Sequence, residues 1–204
     1  MSQVADELTA SIETDLLITV SGPPGCGATT LCRRLSEAID CPYISGGDIF
    51  REVAEKHDLT LTQLTAKAQE SDEFDRALDK RIRTIGEKWG NSEKPCIIES
   101  RLAGWLAGNH ADLRIRLDAP TEIRKERVSG REETVAEMQV REVGEAQRYD
   151  NYYEIDVEDR ELYDIQLNTA RWSKQGVFEI IRAAIEQYDE NEDEGAFETP
   201  EIPL

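Results

Sequence analysis

The chain holds only two histidines and four cysteines in 204 residues. Cys26, Cys32, Cys41 and Cys96 form no C-x-x-C pair, which argues against a zinc site. They are expected to be free, buried thiols of a reducing compartment. No apolar run approaches the ~20 residues of a membrane span. The first residues lack the basic-then-apolar layout of a secretory signal. A soluble cytoplasmic protein with no membrane partner is expected. Positive charge is also scarce. Lysine and arginine total 24 against 43 acidic residues, a net charge of −19. Lysine is the rarer cation, seven against 17 arginines. Such a surface disfavours sequence-independent binding of DNA or RNA, so no nucleic-acid partner is expected.

The acidity is not confined to one end. From Asp189 onward the chain has seven acidic residues and no basic one, yet the remainder still has 36 acidic against 24 basic residues. Two explanations stand: an acidic tail on a solvated surface, or adaptation to a high-salt cytoplasm in which screening over a few ångströms removes self-repulsion.

What is present begins with Gly22-Pro23-Pro24-Gly25-Cys26-Gly27-Ala28-Thr29. This is the phosphate-loop pattern G-x-x-x-x-G-K-[ST] with Ala28 in place of lysine. Before it, Leu16-Leu17-Ile18-Thr19-Val20 is an apolar, β-branched run that predicts a buried strand. After it, residues 30–39 predict a helix with Leu31, Leu35 and Ile39 on one face. Strand, glycine loop and helix together cradle phosphate oxygens with backbone N–H groups and a helix N-terminus. Residues Gly22 to Thr30 are therefore the candidate nucleotide-phosphate site, and Thr29 holds the position whose hydroxyl meets Mg²⁺.

Further strands are expected at residues 41–45, 95–99, 113–118 and 164–168. Helices are expected from Ile49 to about Lys88 with breaks near Asp58 and Ser71, then at 121–130, 135–149 and 176–188. No internal repeat is visible. Alternating strands and helices predict an α/β fold of three layers, with a mostly parallel central sheet covered by helices on both faces. Ligands of such folds bind outside the carboxyl ends of the strands. The loops after Val20, Ser45, Glu99 and Asp118 should converge there.

Arg51, in the first turn after Gly46-Gly47-Asp48, and Arg101, after Glu99, are fork-shaped donors that suit a phosphate. Glu99 at a strand end can orient magnesium-bound water. Arg124, Arg127 and Arg131 share a helical face. Arg141 and Arg148 share another, with Glu145 between them and able to hold both. In so acidic a chain these arginines need an anionic object, either a polyphosphate or the acidic surface itself. Closing arginines over a transferring phosphoryl group would stabilise its transition state. Asp75, Arg76 and Asp79 are read as a solvated helix face, with contact to a base edge as the alternative. The scattered Trp89, Trp105 and Trp172 are read as core packing, and a monomer is expected.

With these residues in view, the chain resembles the archaeal type of cytidylate kinase, in the nucleoside monophosphate kinase family of P-loop NTPases. The resemblance rests on Gly22-Pro23-Pro24-Gly25, Ser45-Gly46-Gly47-Asp48-Ile49-Phe50-Arg51, Glu99-Ser100-Arg101-Leu102-Ala103-Gly104-Trp105, Glu126-Arg127-Val128-Ser129-Gly130-Arg131, and Tyr163-Asp164 followed by Asn168-Thr169. It spans residues 16–187, and Arg101 to Trp105 is its most specific piece. It implies transfer of the γ-phosphoryl of ATP to CMP or dCMP with Mg²⁺. Arg51 and Arg101, beside Asp48, would hold the acceptor's phosphate. Arg127 and Arg131 would approach the donor phosphates, and Arg141 and Arg148 would close as lid arginines. It also implies a kinase domain (16–187) with an acceptor-binding helical segment (49–88) and a short lid region (127–148). Outside it, composition predicts an N-terminal extension (1–15), or an early helix there, and an acidic disordered tail (188–204).

Ala28 departs from the phosphate-loop pattern, since lysine there neutralises the β- and γ-phosphates. Losing such a donor costs on the order of 10²–10³ in rate. Three explanations stand: an active enzyme in which another cation substitutes, an arginine of the lid rather than Arg33, which lies five residues further along the helix; a nucleotide-binding protein with weak turnover; or an engineered knockout. A kinase for another small acceptor such as shikimate would share the loop, but the Arg51 and Arg101 pair favours a phosphorylated acceptor.

Overall fold

A computed structural model describes residues 11–71, 73–129, 135–192, 202 and 204. Five strands build one sheet: β1 (Leu17–Ser21), β2 (Tyr43–Ser45), β3 (Cys96–Glu99), β4 (Leu113–Asp118) and β5 (Ile165–Asn168). Their order is β2-β3-β1-β4-β5, and every neighbouring pair is parallel. Among the described residues there are eight α-helices: α1 (Ala28–Ile39), α2 (Gly46–Lys56), α3 (Leu61–Glu70), α4 (Glu73–Gly90), α5 (Ala103–Ala107), α6 (Thr121–Val128), α7 (Val135–Tyr153) and α8 (Lys174–Gln187). The parallel, doubly covered sheet expected from the alternation is the one observed.

The central strands β1 and β3 read as apolar runs because both of their faces are buried. On β1, Ile18 and Val20 enter one core with Leu31, Leu35 and Phe178 from α1 and α8. Leu17 enters the opposite core with Leu102, Trp105, Tyr149 and Tyr153. Neighbouring strand residues point to opposite faces, so a single run feeds both layers.

Several boundaries differ from expectation. The helix expected from Ile49 begins at Gly46, because the Ser45 hydroxyl accepts from the Asp48 amide at 3.3 Å and caps it. The breaks near Asp58 and Ser71 are real, and Thr60 with Gln63 forms a reciprocal capping box that starts α3. Helix α7 runs four residues past Tyr149, because Tyr153 packs in the second core and donates to Asp79. Helix α5 was not foreseen. Its five residues are all buried, so it has no polar face and shows no helical period.

Candidate active site

The glycine loop links β1 to α1 at the centre of the sheet. Gly22 admits no side chain: a Cβ there would lie 2.2 Å from the Leu117 carbonyl oxygen. Gly25, at φ +81°, is also crowded, since a Cβ there would lie 2.8 Å from the Arg124 carbonyl oxygen. Gly27 caps α1 in the left-handed region with no side-chain hydrogen bond, and the first turn holds no acidic residue. The leading N–H groups of a twelve-residue helix are thus left for an anion. Ala28, at the lysine position, is buried as the first residue of α1.

Two arginines of α6 hold the loop from outside. Arg124 is buried, donates to the Pro24 carbonyl at 3.1 Å and forks onto both oxygens of Glu142 at 2.8 and 3.1 Å. Arg127 donates to the Gly25 and Cys26 carbonyls at 3.2 and 3.4 Å and to the Thr169 hydroxyl at 2.8 Å. The face carrying these residues therefore finds its partners in the protein's own oxygens. Arg131 lies outside the described residues.

The register of β2 on β3 sets Ser45 beside Glu99, so the loops after these strands adjoin. The Thr29 hydroxyl donates to Glu99 Oε1 at 2.9 Å, and the Tyr43 hydroxyl donates to Glu99 Oε2. Burial pushes the Glu99 carboxyl above its ordinary range, and these two donors pull it back. Tyr43 was missed in the sequence, although it precedes Ser45 by two and so shares its sheet face. Hydroxyl and carboxylate are hard oxygen donors. Among the described residues no group of three or more His, Cys, Asp or Glu could hold a metal. A divalent ion at this pair would complete its shell with phosphate oxygens and water, which fits Mg²⁺.

On the acceptor side, Arg51 pairs with Asp48 at 2.5 Å on an exposed face of α2. Arg101 is largely buried, and its Nε lies 3.7 Å from Glu145 Oε2. Glu145 also accepts from Arg141 at 3.2 Å. This corrects the expectation that Glu145 holds Arg141 and Arg148 together. Arg148 instead donates to Asp75 of α4, across a buried contact. Asp75 and Asp79 are 3% and 2% exposed, so they are not a solvated face. They face α7, where the Tyr153 hydroxyl donates to Asp79 at 2.8 Å. Burial pushes the Asp79 carboxyl up to about 7, against the hydrogen bond from Tyr153 and the charge of Arg148. The i, i+3, i+4, i+7 logic behind the expectation reads one helix at a time. It cannot see that α4 lies opposite.

Two cavities adjoin the loop. The larger, about 660 Å³, is lined by Arg116, Asp118, Arg124, Glu142, Glu158 and Arg160. Its charges are already committed to one another, as in Arg116–Glu158 at 2.9 Å and Arg160–Asp118 at 2.9 Å. The smaller, about 330 Å³, opens beside Gly25, Gly27 and Thr30, with Arg127 and Trp172 in its wall. Trp172 is 51% exposed, so it is not core packing. All four cysteines are free and buried, and burial holds the Cys26 thiol up at about 11.

A glycine loop between the central strand of a parallel sheet and an uncapped helix, with a carboxylate from the adjacent strand on the loop's threonine, is the build of a P-loop kinase. Solved structures share the fold. A shikimate kinase from Bacteroides thetaiotaomicron superposes with a TM-score of 0.55 at 14% identity, covering 84% of this chain and 98% of that one. A gluconokinase from Sinorhizobium meliloti gives 0.57 at 14% identity, covering 88% and 96%. A family model described as an AAA domain matches residues 18–150. Proteins named cytidylate kinase match nearly end to end. That of Haloquadratum walsbyi is 45% identical over 192 residues, 92% of this chain and 98% of the relative. That of Natronomonas pharaonis is 46% identical over 185 residues, covering 88% and 94%. That of Pyrococcus furiosus is 40% identical over 192 residues, covering 92% and 97%. The chain belongs to the archaeal cytidylate kinase family.

Proposed function

We propose that this chain transfers the γ-phosphoryl group of ATP to CMP or dCMP, giving ADP and CDP or dCDP. The observation that carries the reading is the near end-to-end match to relatives named cytidylate kinase, in both halophiles and Pyrococcus. In this reading an oxygen of the acceptor's phosphate bonds to the γ-phosphorus as the bond to the β–γ bridging oxygen breaks. That electron pair stays on ADP, and no covalent enzyme intermediate forms.

The loop from Gly22 to Thr30 holds the donor phosphates through its amides. Thr29 and Glu99 would hold Mg²⁺, which would supply positive charge against the donor phosphates. Asp48, Arg51 and Arg101 orient the acceptor's phosphate. Arg127 and Arg141 serve the donor side, Arg127 through the loop carbonyls it already grips. Arg131 is assigned to the donor phosphates from the family resemblance. Arg148, spent on Asp75, holds α7 against α4 rather than reaching a phosphate. Closure over both nucleotides expels water from a site built for positioning and charge neutralisation. We take the protein to work as a cytoplasmic monomer in pyrimidine nucleotide metabolism, in a high-salt interior that its net charge of −19 suits.

Ala28 favours a second reading, a nucleotide-binding P-loop protein with weak or no turnover. A coupled assay in molar KCl with ATP·Mg²⁺ and CMP, dCMP, UMP or AMP separates the two. Turnover on CMP supports the kinase. ATP binding with no turnover on any acceptor supports the second reading, and turnover on AMP but not CMP overturns the substrate assignment.

A further inference from the structure

Resting on the kinase reading above, we propose that Arg33 supplies the positive charge that Ala28 leaves missing at the donor phosphates. Thr29 and Arg33 are four residues apart on α1 and share one helical face. That face is anchored by the 2.9 Å hydrogen bond from Thr29 to Glu99. Arg33 therefore lies one turn, about 6 Å, behind the metal-facing threonine. Helical side chains lean towards the N-terminus and cover the preceding turn. An arginine is long enough to bring its guanidinium to the level of Thr29, on the side where Glu99 lies.

The state of the charge matters as much as its place. Arg33 is exposed and has no ion pair among the described residues. Its field nevertheless reaches Glu99, where it opposes the effects of burial and of Asp48. The other arginines near the loop are committed. Arg34 is tied to the Lys174 carbonyl and Gln175, Arg51 to Asp48, Arg101 to Glu145, Arg124 to Glu142 and Arg127 to Thr169. In so acidic a chain, an arginine left unpaired among the described residues beside the phosphate loop is a charge held for an anion. During transfer, negative charge gathers on the β–γ bridging oxygen, and a guanidinium at the loop's mouth offsets it. The rival cation is Lys174, on the opposite flank, which lines the smaller cavity beside Thr30.

The test is a kinetic cycle with ATP·Mg²⁺ and CMP over wild type, Arg33→Ala, Ala28→Lys and the double variant, with Arg33→Lys and Lys174→Ala alongside. The expected result is a loss of about 10²–10³ in kcat for Arg33→Ala, with KM for CMP little changed. Arg33→Lys should keep most of the rate. Ala28→Lys should restore Arg33→Ala strongly and raise the wild type much less. An Arg33→Ala enzyme at wild-type rate overturns the inference. So does an Ala28→Lys gain that is equal in both backgrounds, or a loss confined to Lys174→Ala. A wild-type chain active on CMP with any of these outcomes sinks the inference alone. A wild-type chain inactive on every acceptor sinks it together with the kinase reading.

Discussion

Replacing Asp75 by asparagine strands a buried guanidinium. Arg148 and Asp75 have side-chain exposures of 8% and 5%, so neither charge can turn to bulk water. Removing one partner of a buried pair costs about 3–5 kcal/mol, because the other charge stays desolvated. Asp79 is the nearby carboxylate that can soften this loss, since its charge already interacts with Arg148. It is also the acceptor of the Tyr153 hydroxyl at 2.8 Å, so it can turn to Arg148 only in part. The low end, about 3 kcal/mol, is therefore the working figure. A chain of this size loses ~2–4 °C of Tm per kcal/mol, which predicts a drop of about 6–12 °C. The assay is a thermal melt at pH 8 in molar KCl, where surface pairs are screened and buried ones are not. The double replacement Asp75→Leu with Arg148→Met should recover most of the loss, because removing the pair together strands neither member's charge, while Asp79, freed of Arg148, shifts further towards its neutral form. A single variant melting within 1 °C of wild type would refute the claim that this pair ties α4 to α7. So would a double variant that melts lower than Asp75→Asn.

Two further outcomes follow from the site and its surroundings. Gly22→Ala should cost about 1–3 kcal/mol and raise KM for ATP, because its new methyl meets the Leu117 carbonyl oxygen at 2.2 Å and only backbone movement relieves it. Unchanged ATP kinetics would show that the loop tolerates the shift. Burial holds the Asp79 carboxyl up at about 7, so the native state keeps a proton that the unfolded chain releases near its ordinary value. That contribution to stability is present at acid pH and is lost as pH rises through about 7. Asp79→Asn should therefore gain in Tm on the wild type between pH 5 and pH 8, while Asn still accepts from Tyr153. Parallel Tm–pH curves for the two proteins would refute this.

Much of the fold was legible because β1 and β3 are short, apolar and bounded by turn residues, and β4 alternates branched apolar residues with charged ones before Ala119-Pro120. The glycine loop was legible because its glycines are required by close backbone approach, as Gly22 and Gly25 show. Thr29 and Glu99 are each readable as metal-facing, one from the loop motif and the other from its strand end, but their hydrogen bond to each other is seen only in the fold. The partners of the arginines were not. Glu145 and Arg148 lie on one helix at a spacing that permits a bond, yet a carboxylate 73 residues away in sequence takes Arg148 instead. Arg124 and Arg127 read as a face waiting for an anion, whereas carbonyls of the phosphate loop occupy them.

By itself the sequence determined the strand–loop–helix unit, the parallel sheet and the family. Each rests on local patterns: hydrophobic period, glycine placement and motif spacing. Only the tertiary structure decided which charges are spent and which are held. Ion pairing depends on distances between elements that the chain brings together from far apart. That is why Asp75 left the surface, why Glu145 turned to Arg101, and why Arg33, whose place five residues along the helix speaks against it in the sequence, stands unpaired among the described residues one turn behind Thr29.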